Sequence, residues 1–166
     1  AFCDQMGAIC TAFGVVSALL ARERLGVGQL VEVNLLTAFS NLNWINVNQF
    51  AWTHQQVNKN NRSCPANPMS NYYPCKDGKW IMLGSYTPDS VKKFFGLMGI
   101  DEIASNEKYS TRQGVIEDSV ALTKRVEKLM LTRNRDEWIQ FFSENDMMVG
   151  PVNDYADLLE DPQMLA

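Results

Sequence analysis

The sequence predicts an α/β fold, and three observations carry that reading. An almost wholly apolar stretch follows Asp4 and leads into a short run of alternating polarity. Asp77-Gly78 separates two strand-like runs, a pattern that marks a β-hairpin. The remainder carries apolar residues at helical spacing. Residues 1–58 are expected to form part of a helix-covered sheet. Residues 59–70 are expected to be a linker, and residues 71–166 a small α+β domain with an antiparallel hairpin.

Each element has its own signal. From Met6 to Ala21 only Thr11 and Ser17 are polar, and a helix apolar all round is a buried one. This first helix is expected over Gln5–Leu25, with Gly26 as its stop. Leu30–Leu35 reads as a strand, with Val31, Val33 and Leu35 on one face and Glu32 and Asn34 on the other. A long helix is expected over Leu36–Gln56. In it Asn41, Asn43, Asn46 and Asn48 interleave with Leu42, Trp44, Ile45, Val47, Phe50 and Trp52. Such a helix suits either a packed interface in which the amides find partners or one ordinary wet face.

NKNNRSCPANPMS, from Asn58 to Ser70, is polar and holds two prolines, so it reads as a loop and a domain boundary. Pro74 places the first hairpin strand at a sheet edge. Thr87-Pro88 opens a helix as N-cap and first residue, with Val91, Phe94, Phe95 and Met98 as its core face and Gly99 as its end. A helix over Gly114–Leu131 and another over Asp136–Asn145 follow, the latter with Trp138, Ile139 and Phe142 inward. Met147–Val152 reads as a short buried strand, Asp154–Glu160 as a short helix, and Asp161-Pro162 as a turn.

Composition excludes some functions. The net charge is −4, and nucleic-acid binding needs a basic face. The cysteines are Cys3, Cys10, Cys64 and Cys75, with no CxxC pair, and the single histidine is His54. No metal site is assigned on that set. Cys3 and Cys10 read as apolar fillers, and the cysteine usage suits a reducing cytoplasm. The apolar run is shorter than the ~20 residues of a membrane span and lacks the basic start of a signal peptide, so no membrane partner is expected. A buried helix so near the start, and the apolar end MLA, read as a segment of a longer protein.

Few residues invite chemistry. Gly26-Val27-Gly28-Gln29 has the wrong order for a phosphate loop, because a helix precedes it and a strand follows. A tight helix-to-strand turn is the reading. Asp4 heads the apolar helix as either a cap or a reactive group. The roles are compatible, because a helix N-terminus favours the ionised carboxylate that nucleophilic attack requires. Gly7, one turn on, leaves room beside Asp4 for a ligand or a closely packed backbone. His54 reads as structural or surface, with no triad around it. Gly84-Ser85 reads as a strand-to-helix connection or a mobile loop over a site.

The ordered set of motifs resembles class III CoA-transferases of the formyl-CoA and carnitine CoA-transferase type. Its first part is DQMGAICTAFGVVSALLARERLGVGQLVEVNLL: Asp4, Gly7, Arg22-Glu23-Arg24, Gly26, Gly28-Gln29, Val31 and Val33. Its later part is Asn67-Pro68, Tyr73, Asp77-Gly78, Asp136-Glu137-Trp138, Gly150-Pro151-Val152 and Asp161-Pro162-Gln163. The resemblance spans nearly the whole chain.

It implies a large Rossmann-like domain joined to a small one, in subunits that interlock as a homodimer. Asp4 matches the aspartate that attacks an acyl-CoA and carries CoA as an aspartyl thioester to a carboxylic acid. No cofactor is held permanently, and the coenzyme A thioester is the substrate. CoA-contacting residues belong to the family's N-terminal half, so none is assigned, and the isolated segment is expected to be inactive. Two alternatives stay open: an acyl-CoA racemase of the same superfamily using Asp4 as a base, and a non-catalytic interaction module.

Overall fold

The computed structural model describes residues 2–56 and 61–166, and the chain falls into two compact units, residues 1–59 and 60–166. Residues 57–60, with the start of the expected linker, lie outside the described residues.

The first unit is helical. Helix α1 spans Phe2–Leu25. Thr11 and Ser17 return their hydroxyls to the carbonyls of Gly7 and Phe13, each at 2.8 Å, so neither leaves an unmet donor on an apolar helix. Gly26, at φ +70°, donates its N–H to the Arg22 carbonyl and ends the helix in the left-handed manner expected of it. Only Gly7 of α1 is buried, where a helix buried all round was expected. The one other arm of this unit covers a single stripe of α1. The helix is also long and apolar enough to cross a membrane by length and composition alone. That corrects the shorter span read from its apolar run, because the helix extends past that run at both ends.

The expected strand over Leu30–Leu35 is not formed. No described strand lies beside residues 30–34, and a ladder needs a partner. Asn34 is instead the N-cap of α2 (Leu35–Ser40), accepting the Thr37 N–H at 2.8 Å. The long helix expected after it is broken. A 3-10 turn at Asn41–Asn43 separates α2 from α3 (Trp44–Thr53). The asparagine amides account for the break, since Asn46 donates to Asn43 Oδ1 at 2.6 Å and Asn41 to the Thr37 carbonyl at 3.3 Å; such local bonds compete with the helix ladder. His54 ends α3 at φ 54° with its N–H on the Phe50 carbonyl.

The second unit is built on an antiparallel sheet of order β1-β2-β3: Ser70–Pro74, Trp80–Gly84 and Val149–Val152. Pro74, which has no N–H to give, sits on edge strand β1 as expected. The hairpin turns through Asp77-Gly78, with Gly78 at φ +77° and its N–H on the Cys75 carbonyl. Strand β3 is half-buried to exposed, less covered than a buried strand, because it forms the other edge.

Helices α4 (Asp89–Leu97), α7 (Ser119–Met130) and α8 (Arg135–Glu144) cover one sheet face. Tyr73, Ile81 and Leu83 meet Val91, Phe94, Phe95, Val126, Met130, Trp138 and Phe142, all essentially without solvent exposure. Trp138 stacks on Phe142 at 5.1 Å and donates Nε1–H to the Met130 carbonyl at 2.8 Å, so its one polar group is met inside the core. A short α5 (Asp101–Ala104) and a 3-10 turn at Glu107–Ser110 follow α4.

The single helix expected over Gly114–Leu131 is two, α6 (Arg112–Glu117) and α7, parted at Asp118. The Asp118 carboxylate accepts Lys108 Nζ at 2.8 Å and Tyr109 Oη at 2.9 Å, which holds it at the junction. Helix α9 (Tyr155–Leu159) is capped by Asp154 as expected. Asp161-Pro162 opens a further turn of helix, α10 (Pro162–Leu165), rather than a bare turn. Asp161 caps that helix through the Gln163 N–H at 2.8 Å.

Candidate functional site

Asp4 lies in the first turn of α1, exposed, and within the helix rather than at its cap. The cap reading therefore gives way. An N-cap sits outside helical geometry, whereas Asp4 is a helical residue whose carboxylate benefits from the helix N-terminal field. One turn on, a Cβ at Gly7 would come within 2.5 Å of Leu35 Cδ2. A Cβ at Gly14 would come within 2.7 Å of Val31 Cγ1. The two glycines thus admit the segment that leads into α2. The space that Gly7 leaves is taken by a packed side chain, not by an open ligand pocket.

The second unit holds a cleft that sequence reasoning did not find. Its volume is about 550 Å³, and it opens between the 61–67 segment, the outer face of β1 and β2, the 85–88 connection and the start of α6. The strand alternation places its floor. Tyr73 and Ile81 are paired in register and turn to the core. Tyr72 and Met82, also paired, turn the other way and line the cleft.

Residues 61–69, read from sequence as linker, are folded into this unit. Asn71 Nδ2 donates to the Arg62 carbonyl at 2.9 Å, Asn67 Oδ1 accepts the Met69 N–H at 2.8 Å, and Tyr73 Oη donates to the Pro68 carbonyl at 2.8 Å. Burial pushes the Tyr73 hydroxyl up to about 12, so it stays a neutral donor. Arg62 is fixed twice. Its Nη1 meets Glu127 Oε1 at 2.8 Å, and its guanidinium lies 5.4 Å from the Trp80 ring centre. Tyr86 and Arg112 complete the rim, both exposed. The available signal was Asn67-Pro68 with the adjoining Tyr72-Tyr73, but composition alone made the segment look like a spacer. Gly84-Ser85 enters the connection beside the cleft, with the Ser85 N–H on the Met69 carbonyl at 2.8 Å.

A family model described as CoA-transferase family III matches residues 1–166. The chain belongs to that family. It is 26% identical over 167 residues to (R)-2-hydroxy-4-methylpentanoate CoA-transferase of Clostridioides difficile, a match that covers 99% of this chain and 41% of that protein. It is 22% identical over 161 residues to the human alpha-methylacyl-CoA racemase, covering 92% of this chain and 39% of the racemase. The crystal structure of a CAIB/BAIF family protein from Brucella suis superposes with a TM-score of 0.81 at 22% identity, over 99% of this chain and 43% of that one. This likeness shows the shared fold. The family III segment thus spans about two fifths of the length of the relatives it matches.

Proposed function

We propose that the protein carrying this family III segment is a CoA-transferase, moving CoA from an acyl-CoA donor to a carboxylic acid acceptor through Asp4. The observation that carries the reading is the whole-length family match, together with Asp4 as the carboxylate in the first turn of an apolar helix. In this reading the Asp4 carboxylate attacks the thioester carbonyl, the C–S bond breaks, and a mixed anhydride forms as CoA thiolate leaves. The thiolate returns to the aspartyl carbonyl and releases the donor acid, leaving an aspartyl-CoA thioester. The acceptor carboxylate then displaces CoA from Asp4, and the thiolate takes the new acyl group and restores the free carboxylate. Covalent catalysis of this kind keeps the thioester's free energy within the exchange.

The same proposal takes residues 1–58 as part of a Rossmann-like large domain and 71–166 as the body of the small domain, with residues 61–69 folded onto it. It places the protein in the cytoplasm as an interlocked homodimer. Phe13, Val16, Trp44 and Trp52 of the first unit are all exposed, and so many large apolar side chains in water support further covering partners. The 166-residue segment alone is then inactive.

Likeness to the human racemase favours a second reading, in which Asp4 removes an α-proton from the acyl-CoA. One experiment separates the two. The full-length gene product is incubated with an acyl-CoA panel, quenched with hydroxylamine, digested and mapped by mass spectrometry. A hydroxamate on Asp4 supports transfer. An unmodified Asp4 with α-proton exchange in deuterated water supports racemisation. The absence of both signals takes Asp4 out of the reaction.

A further inference from the structure

Residues 153–166, which follow β3, are held on the second unit in an unusual way. Tyr155, Leu159, Met164 and Leu165 are all exposed, and no residue of α9 or α10 belongs to the apolar core. Most bonds of the segment are internal. Asp154 caps α9, Asn153 reaches Asp161 Oδ2 at 3.5 Å, and Asp161 caps α10. Among the described residues, the side-chain bonds that leave the segment all come from Asp157. Its Oδ2 accepts Arg135 Nη1 at 3.1 Å, and its Oδ1 lies 3.8 Å from Lys79 Nζ.

The two bonds are unequal. Lys79 is half exposed and stands far off, and ion pairs in water contribute little. The Arg135 side chain is only 9% exposed, and its other carboxylate, Asp136 at 3.2 Å, is 80% exposed. Losing Asp157 therefore leaves a sheltered guanidinium short of a partner. Attachment is concentrated in one bond. Helices of five and four residues are too short to persist in water without a docking partner.

We infer that Asp157 is a latch: residues 153–166 dock on the second unit through the Asp157–Arg135 bond and come away as one piece when it is lost. The sheet and core stay folded, because the seat that the segment leaves is polar. It consists of Arg135, with Asp136 beside it and Asp77 on its backbone N–H. Closing the latch fixes the direction the chain takes after β3, and opening it frees that direction. Release of a weakly held segment ahead of the core is ordinary sub-global opening, and here a single ion pair gates it. The inference rests on the second unit alone and does not depend on Asp4 chemistry.

Backbone 15N relaxation of the 166-residue chain tests it. In the wild-type chain the amides of α9 and α10 should have order parameters near those of the sheet, about 0.85. In D157A they should fall below about 0.6, while those of Tyr73, Ile81 and Leu83 stay unchanged. R135M removes the same bond without touching the sequence of α9, and should free the same residues. Should R135M fail to fold, D157A decides alone. An α9 and α10 as rigid in D157A as in wild type overturns the latch. So does a wild-type segment already as mobile as the variant. Loss of order that spreads to the sheet amides in D157A also overturns it, since Asp157 would then be a strut of the core.

Discussion

Arg135 Nη1 donates to Asp157 Oδ2 at 3.1 Å and so ties the first residue of α8 to α9. The Arg135 guanidinium is almost fully enclosed and also reaches Asp136 at 3.2 Å, while its backbone N–H donates to Asp77 Oδ2 at the hairpin turn. Three separated pieces of chain thus meet at one residue, the hairpin turn through its backbone N–H and α9 through its guanidinium. Replacing it leaves Asp157 without its main partner, so R135A should destabilise the unit by about 1–3 kcal/mol. Urea unfolding followed by tryptophan fluorescence checks this, and a midpoint equal to wild type would contradict it.

The same pair sets an acid response. The hydrogen bond from Arg135 holds the Asp157 carboxyl below its ordinary value of 3.8. A carboxyl depressed on folding contributes stability above its unfolded pKa, and this is lost as pH falls through the folded value. Asp118, held low by Lys108 and Tyr109, acts in the same direction. Acid unfolding should therefore steepen below about pH 4. D157N and D118N should each flatten that slope, as read from thermal midpoints between neutral and acid pH.

At the alkaline end two buried groups oppose ionisation. Burial raises the Cys75 thiol from 9.0 to about 11 and the Tyr73 hydroxyl from 10.0 to about 12. Their stability is fully present below the unfolded values and is lost as pH rises through the folded ones. Stability should decline from about pH 9 upward, and C75A should remove the earlier part of the decline. Thiol titration at pH 8 gives a second check: exposed Cys64 should react at once and Cys75 only on unfolding.

Gly114 is a steric requirement. A Cβ there would collide with the backbone carbonyl oxygen of Lys108, which cannot move aside as a side-chain end can. G114A should cost about 1–3 kcal/mol and disturb the Lys108 and Tyr109 bonds to Asp118. By contrast, a Cβ at Gly84 meets the flexible Met148 side chain at 2.9 Å. G84A should be milder than G114A and be relieved by M148A in a double-mutant comparison of melting temperatures.

If Asp4 is the acyl carrier, D4N in the full-length protein should lower turnover at least about 10³-fold, on the scale of losing a catalytic group. Secondary structure should be unchanged, because Asp4 is exposed in the first turn of α1. Circular dichroism and the hydroxylamine trap read the two effects separately. Wild-type turnover in D4N would refute the role.

Much of the second unit was legible because its signals are local. Asp77-Gly78 made the hairpin, Pro74 marked the edge, and Val91, Phe94 and Phe95 faced the core at the expected spacing. The candidate site was legible only in part. Asp4 stood out because a carboxylate is conspicuous before an apolar helix, yet its place within the helix was not evident. The cleft was not legible at all, since Arg62, Tyr72, Tyr86 and Arg112 come from four separate stretches of chain.

By itself, the sequence determined the elements whose causes lie within a few residues. The stop at Gly26, the cap at Asp154 and the amphipathic faces of α4 and α8 are of this kind. The tertiary structure alone decided whether Leu30–Leu35 pairs as a strand, how far α1 is covered, where Asp118 divides two helices, and that the 61–67 segment lines a cleft. The physical reason is range. Caps, turns and helical faces are set by neighbouring backbone and side-chain bonds. A strand needs a partner, burial needs an opposing surface, and a cleft needs several segments brought together by the core beneath it.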